Sequence, residues 1–412
     1  RSGGPVWSTP GGTDPGLLGA DAASLGDGRL LVAGGAGRRT RLYDPATDRF
    51  TPAGPMRLGR RYPVAVTLPD GRVMVAGGAP QEAGGAPDQA AGAGARHVGP
   101  TEIFDPATGA WADAGSGPGS EAALPLSPHL HLMPNGKVLY TAVGESAFPA
   151  AADATADEAL YPLLRFFDPD RGRWDVVGAD TLGVRDGAGT SETAAPGAGL
   201  PARTAELFDP TTEQWSPMAA ANRDHTYGQS AVLLPDGRVL LGGHAPPAAP
   251  GPEPAAPAPG APEPALGEGL PQRARDASFE IFSPYYLFRG PRPTIRHAPA
   301  GVAWGTAFEV ATHQALSIES VVLSRLSSPA HSADSDARTL RLGFRRRSNA
   351  LRVSAPPDGA VAPPGWYYLF VNREGPHGPV PSMARIVHVG ASGDPGEAAQ
   401  PFPDDHGPLT NR

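Results

Sequence analysis

Apolar and polar positions alternate along this chain in short runs, each closed by a tight turn. LPDGRVMVAGG (68–78), LMPNGKVLYTAVG (132–144) and LLPDGRVLLGG (233–243) share one order: an apolar strand, an Asp-Gly or Asn-Gly turn, then a second apolar strand ending in glycine. LGDGRLLVAGG (25–35) is a weaker copy. A second phrase follows at varying distance: RLYDPATDRF (41–50), EIFDPATGAW (102–111), RFFDPDRGRW (165–174), ELFDPTTEQW (206–215) and EIFSPYYL (280–287). Period-2 alternation predicts strands and the Asp-Gly turns predict hairpins, so each unit reads as one four-stranded antiparallel sheet. Repeated four-stranded units predict a β-propeller of the kelch type, with five to seven blades.

Five blades are marked by Tyr43, Phe104, Phe167, Phe208 and Phe282. The fourth is damaged, because no Asp-Gly hairpin precedes Phe208 and residues 179–203 are too polar and glycine-rich for buried strands. Strand direction alternates, so the Asp-Gly and Asp-Pro turns fall on one face of the ring. The long inserts 79–100, 145–161 and 244–276 fall on the other, which makes that crowned face the place for function. The Pro/Ala-rich insert 244–276 reads as extended and disordered. From Pro284 the grammar changes to short strands at 308–313, 320–326, 339–346, 351–356, 365–372 and 384–390, the spacing of a small antiparallel sandwich. The expected organisation is a propeller over 1–284, an immunoglobulin-like β-sandwich over 285–390 and a disordered tail over 391–412.

Composition narrows the chemistry. There is no cysteine, which removes disulfides, thiolate metal sites and thiol nucleophiles. The net charge of -8 is spread along the chain, so no basic face for nucleic acid is expected. No apolar run reaches the ~20 residues of a membrane span. Much of the content of 54 glycines and 50 prolines lies in the repeated turns, consistent with a folded core carrying irregular inserts. The chain opens at Arg1 with neither an initiator Met nor a signal peptide, and an upstream segment is the expectation.

The stretches SFEIFSPYYLFRGPRPTI (278–295), SSPAHSADSDARTLRLGF (327–344) and VAPPGWYYLFVNREGPHGPVPSMARIV (361–387), together with the propeller phrases, resemble the galactose oxidase and glyoxal oxidase family. The likeness runs over about residues 17–390. It implies a C-terminal early-set domain and a mononuclear copper centre that oxidises primary alcohols or aldehydes and reduces O2 to H2O2. In that family two tyrosines, two histidines and a Tyr–Cys thioether form the centre.

Carried over by position, the resemblance makes Tyr62 the thioether tyrosine, Tyr227 the axial tyrosine and His331 one copper histidine, on a hairpin reaching into the central channel. The second histidine position holds Gly228, and the cysteine position falls near Gly19. A stacking tryptophan of galactose oxidase would fall at Pro80. Without a thiol, Tyr62 cannot be cross-linked, and one imidazole with two phenols suits Cu(II) poorly. One repair stays open: His225 lies two residues before Tyr227, on the same face of an extended strand, so His225, His331, Tyr62 and Tyr227 could hold a metal.

His129 and His131 share one face of their strand, either lining a pocket or as satisfied inner-strand histidines. With His331 they would form an all-imidazole zinc site. Arg60 and Arg61 precede Tyr62 on the crowned face, either binding a hydroxylated or anionic ligand or simply solvated. Asp334, Asp336 and Arg338 either orient the ring of His331 or are turn residues with a surface ion pair. Trp366, Tyr367 and Tyr368 alternate in a strand and supply sandwich core.

The functional expectation is a galactose/glyoxal oxidase-like protein that has lost radical chemistry and serves as a binding or cell-envelope, glycan-associated protein. On this expectation it has no cofactor and is secreted or envelope-bound by family likeness. Two alternatives stay open: a copper-dependent oxidase of alcohols or aldehydes with a rebuilt site, and a scaffold reused for a non-radical reaction.

Overall fold

A computed structural model describes residues 9–81, 98–122, 124, 127–141, 163–179, 202–209, 214–225, 230–244, 276–326, 329–330, 333–334, 336–375 and 378–391. The expected disordered insert (244–276) lies almost wholly outside these residues, and so does the expected tail.

The first three repeats each form a four-stranded antiparallel sheet. The first joins Ala20–Ser24, Leu30–Gly34, Thr40–Asp44 and Arg49–Pro52. The second joins Val64–Thr67, Val73–Ala76, Glu102–Asp105 and Ala110–Asp113. The third joins His129–Leu132, Val138–Thr141, Leu163–Asp168 and Arg173–Ala179. The turns close as their sequences dictate. Asp27, Asp70 and Asp236 each accept the backbone N–H two residues on and the guanidinium of that same arginine, while Gly28, Gly71 and Gly237 take positive φ.

The fourth sheet holds two strands among the described residues, Ala202–Asp209 and Gln214–His225, and the fifth holds three, Ser230–Leu233, Val239–His244 and Asp276–Phe282. In each described outer pair the marker aromatic stands in register with an aromatic on the next strand: Tyr43 opposite Phe50, Phe104 opposite Trp111, Phe167 opposite Trp174 and Phe208 opposite Trp215.

Successive sheets stack face to face, with inner strands side by side. Ala20–Ser24 lies beside Val64–Thr67, and that strand lies beside His129–Leu132. Ala65 N donates to Asp21 Oδ2 at 2.8 Å and Thr67 Oγ1 to Ser24 O at 2.7 Å, tying the first two inner strands. One apolar layer fills the first interval (Ala23, Leu31, Ala65, Val75, Phe104) and another the second (Val64, Met74, Leu130, Tyr140, Trp174). This is the blade stacking of a propeller, in which each sheet buries both faces against its neighbours.

The C-terminal strands form a sandwich around one core that includes Val310, Val321, Leu323, Tyr367, Val371 and Val387. Five of its strands fall where the alternation placed them. Residues 339–346 split into Thr339–Leu342 and Phe344–Arg346, which pair in different sheets. Gly301–Ala303 adds a short parallel pairing to Arg385–Gly390 that no local pattern announces. Tyr367 is fully buried and Tyr368 nearly so, as core residues of their strand.

The sandwich is bolted onto the propeller. Arg325 Nη2 donates to Ser24 Oγ, and Arg338 Nη2 donates to Thr67 O. Leu132 bridges Arg338 in parallel register, with Leu132 N donating to Ala337 O at 3.1 Å. A small hairpin, Pro329–Ala330 with Ala333–Asp334, lies against the inner strands Ser230–Leu233 and His129–Leu132.

Candidate functional site

The crowned face is organised by one recurring backbone position. Gly19, Tyr62, Ser127 and Gly228 each stand nine residues before the turn glycine of their repeat. The three that are described, Gly19, Tyr62 and Ser127, all adopt the left-handed region, with φ of 77°, 57° and 47°. They are joined in relay: Tyr62 N donates to Gly19 O at 2.7 Å, and Ser127 N donates to Tyr62 O at 2.9 Å. Left-handed backbone is costly for a bulky side chain, so Tyr62 is held there by its neighbours rather than by local preference. This turn projects the chain just before each inner strand begins.

Gly19 and Tyr62 are in contact. A Cβ built on Gly19 would stand 3.2 Å from Tyr62 Cε1 and 3.0 Å from Arg61 Cγ. Position 19 is therefore where a side chain would meet the edge of the Tyr62 ring, the relationship the family resemblance assigns to its cysteine. Here that place is filled by a residue with no side chain. The Arg61 guanidinium carbon lies 5.0 Å from the Tyr62 ring centroid, so the phenol is flanked by a cation.

Arg60 corrects the expectation of a ligand-binding or solvated arginine. Its side chain is fully buried and pairs with the equally buried Glu102. Nε donates to Glu102 Oε2, Nη1 to Gly77 O, and Nη2 to Pro100 O. Burial pushes the guanidinium pKa down and the Glu102 charge opposes that fall. Arg60 ties Pro100, at the end of the first insert of the crown, to the second sheet and is fully enclosed.

His129 and His131 sit on the face of their strand opposite Leu130 and Leu132, which enter the core. His131 Nε2 lies 3.2 Å from Thr339 Oγ1 of the sandwich. His129 Nε2 is enclosed and has no hydrogen-bond partner among the described residues. Burial lowers both imidazoles to about 4, and the Arg338 charge adds to the effect at His131. Both are neutral at pH 7.

Asp336 and Arg338 are buried, so of the two readings left open for them a surface ion pair does not hold. They pair with each other, Arg325 Nε lies 3.6 Å from Asp336 Oδ2, and Arg338 Nη1 donates to Val361 O. Asp336 also takes positive φ, 59°. The network anchors the strand that follows the small hairpin.

Tyr227 and His331 lie outside the described residues. His225 ends its strand with its backbone opposite Ala202. Asp334 closes the small hairpin opposite Pro329, and Pro80 pairs with Arg60. Among the described residues no group of three His, Asp or Glu side chains converges on a metal position. Reading along the sequence overlooked Ser127 and Glu102. The nine-residue offset would have found the first; the second carries no local signal, because its partner is 42 residues away.

A structure made of stacked four-stranded sheets leading into an immunoglobulin-like sandwich defines an all-β, propeller-plus-sandwich protein. Residues 292–389 match the galactose oxidase-like early-set domain. An aldehyde oxidase GLOX of Vitis pseudoreticulata is 32% identical over 175 residues, covering 40% of this chain and 29% of its own. A WSC domain-containing protein of Arthroderma benhamiae is 31% identical over 197 residues, covering 47% of this chain and 18% of its own. A galactose oxidase of Gibberella zeae is 27% identical over 197 residues, covering 46% and 25%. The chain thus spans less than a third of the length of these curated relatives. A fungal alcohol oxidase of the AA5 family, solved in complex with copper, superposes with a TM-score of 0.51 at 18% identity, over 91% of this chain and 85% of its own. The chain carries a galactose oxidase-like early-set domain and is similar, over less than half its length, to galactose and glyoxal oxidases. None of the described helices is long and apolar enough to cross a membrane.

Proposed function

We propose that this chain is a galactose/glyoxal oxidase-like protein that has given up copper radical oxidation and keeps the scaffold as a binding protein for glycans at the cell envelope. The observation that carries this reading is Gly19. It occupies the place beside Tyr62 Cε1 where a thioether sulfur would sit, and the chain contains no sulfur nucleophile that could take it over. A radical cofactor built from a cross-linked phenol does not fit these residues. The second family histidine is replaced by Gly228. Without the thioether and one imidazole, the site offers a cupric ion little of the nitrogen-rich tetragonal field it favours.

The reading is tested by metal analysis and copper titration, with peroxide measured on primary alcohols and aldehydes. Substoichiometric copper and no peroxide are expected, along with retardation of the protein in gels containing polysaccharide. Tight one-to-one copper with sustained peroxide formation would overturn it.

The ordered placement of Tyr62 favours one second reading, a rebuilt copper site that uses Tyr62, Tyr227, His331 and His225 for alcohol or aldehyde oxidation. Under that reading Tyr62→Phe abolishes copper-dependent peroxide formation. Under the first it changes nothing in that assay.

A further inference from the structure

Several exposed arginines of the propeller are held by carboxylates close at hand. Arg29 pairs with Asp27, Arg72 with Asp70, Arg57 with Asp113 and Arg173 with Asp175. One hairpin of the sandwich departs from that habit. Phe344–Arg346 and Ala350–Ser354 pair at one edge of a three-stranded sheet completed by Ala307–Ala311. Val310, Leu351 and Val353 of this sheet enter the core, so the residues alternating with them face outward.

On the outward face Arg345 stands directly opposite Arg352. Arg347 lies two residues further on, where its amide donates to Ala350 O at 2.8 Å, and so shares that face. All three arginines are exposed, and among the described residues none of their guanidinium groups has a hydrogen-bond or ion-pair partner. Glu309 stands in register with Arg352 on its other side and is the one carboxylate of these rows; no ion pair joins the two. The other outward residues are small: Ala307 and Ser354 in one row, Ala311 and Ala350 in another.

Like charges set directly opposite one another weaken a ladder, so this arrangement costs the fold something. Guarding an edge strand against unwanted pairing needs only a single charge, which leaves the second and third arginines unexplained. What three neighbouring guanidinium groups do well is bind carboxylates, each through two parallel N–H···O bonds. The net charge of -8 on the whole chain opposes a polymer as densely anionic as a nucleic acid. None of the residues in these rows is aromatic, so the face offers nothing for a base to stack on. A polysaccharide with a carboxylate on each sugar ring suits the face better: it brings spaced anions for the arginines and uncharged ring surface for the small residues between them.

We propose that Arg345, Arg347 and Arg352 form a docking face on the sandwich for an acidic, carboxylate-bearing polysaccharide. This deepens the glycan-binding reading above and rests on it, and it places the contact on the sandwich, away from the crowned face.

The test compares the full chain with the triple variant Arg345→Gln, Arg347→Gln, Arg352→Gln in affinity gels containing polygalacturonate or, separately, uncharged dextran. A second triple variant, Arg29→Gln, Arg72→Gln, Arg173→Gln, removes the same charge from the propeller. Polygalacturonate should retard the unaltered chain and the propeller variant alike, and should bind the sandwich variant at least about tenfold more weakly. Equal loss in both variants would reduce the effect to net charge and overturn the proposal. So would an unaltered chain that polygalacturonate does not retard, or one that binds single-stranded DNA as tightly. Retardation by dextran alone would overturn the acidic ligand while leaving the general glycan reading intact, whereas copper-dependent peroxide formation would count against that reading and not against this face. Arg345→Gln alone should leave Tm unchanged or slightly raised, because it relieves the opposed charges. A fall in Tm would give these arginines a structural role and overturn the proposal.

Discussion

Gly19 and Tyr62 touch at the one place where this chain most needs an atom it does not have. The Tyr62 amide donates to the Gly19 carbonyl at 2.7 Å, and the missing Cβ of Gly19 would stand 3.2 Å from Tyr62 Cε1. Gly19→Ala should be destabilising on two counts, the φ of 77° and the contact with Arg61 Cγ. The backbone alone costs roughly 1–2 kcal/mol. Gly19→Cys should cost about the same, so restoring the sulfur works against the fold. Urea denaturation of the two variants checks this, with a stability equal to wild type as the contrary result.

Arg60 and Glu102 form a pair with neither side chain exposed. Glu102→Ala should lower stability by about 3–5 kcal/mol, since it leaves a buried cation without its counter-charge. Arg60→Ala should lose a similar amount through Glu102. The double variant should be less damaged than the sum of the singles, and a double-mutant cycle on chemical denaturation reads the coupling. A ligand-binding role for Arg60 would instead leave stability nearly unchanged.

His129 and His131 set an acid limit. Their folded-state pKa values are about 4, below the unfolded value of 6.5, so the unfolded chain binds more protons between those two values. Stability is therefore full above pH 6.5 and falls as pH drops from 6.5 toward 4. Each histidine can account for up to about 3 kcal/mol of that loss. His129→Asn should flatten the profile in this window while leaving any carboxylate-driven loss below pH 4. A profile unaltered between pH 6.5 and 4 would show that His129 titrates normally.

Arg338, paired with Asp336, ties the sandwich to the propeller at Thr67 O and is braced within the sandwich by Val361 O, while Arg325 lies beside Asp336. Asp336→Ala should cost about 3–5 kcal/mol because two arginines lose their shared anion. It should also split a single thermal transition into two, since Arg338 and Arg325 of this network both reach the first two sheets. Gly359→Ala offers an independent check: its Cβ would lie 2.1 Å from Gly26 O of the first sheet, so it too should weaken domain docking. Differential scanning calorimetry distinguishes one transition from two.

The propeller repeats were legible because each is written locally. An Asp-Gly turn with its arginine two residues on, flanked by alternating apolar residues, specifies a hairpin without help from distant chain. The sandwich strands were legible for the same reason, except that residues 339–346, read as one strand, break at Gly343 to serve two sheets. Arg60 was not. Two arginines before a tyrosine on a loop-rich face read as solvated or ligand-binding, and only the return of Glu102 from the third strand buries the first of them. Asp336 and Arg338 misled in the same way, as polar residues in a turn-like sequence that the docking of two domains encloses.

By itself the sequence determined the hairpins, the repeat, the two kinds of sheet and the absence of any thiol to complete a thioether, because these depend on residue identity and short-range spacing. The tertiary structure alone decided which polar groups lose water: the Arg60–Glu102 pair, the unpartnered nitrogen of His129 and the Asp336 network. It also brought position 19 against the ring of Tyr62. Those outcomes arise where blades and domains meet, between residues tens to hundreds of positions apart, and desolvation there depends on packing that no local pattern encodes.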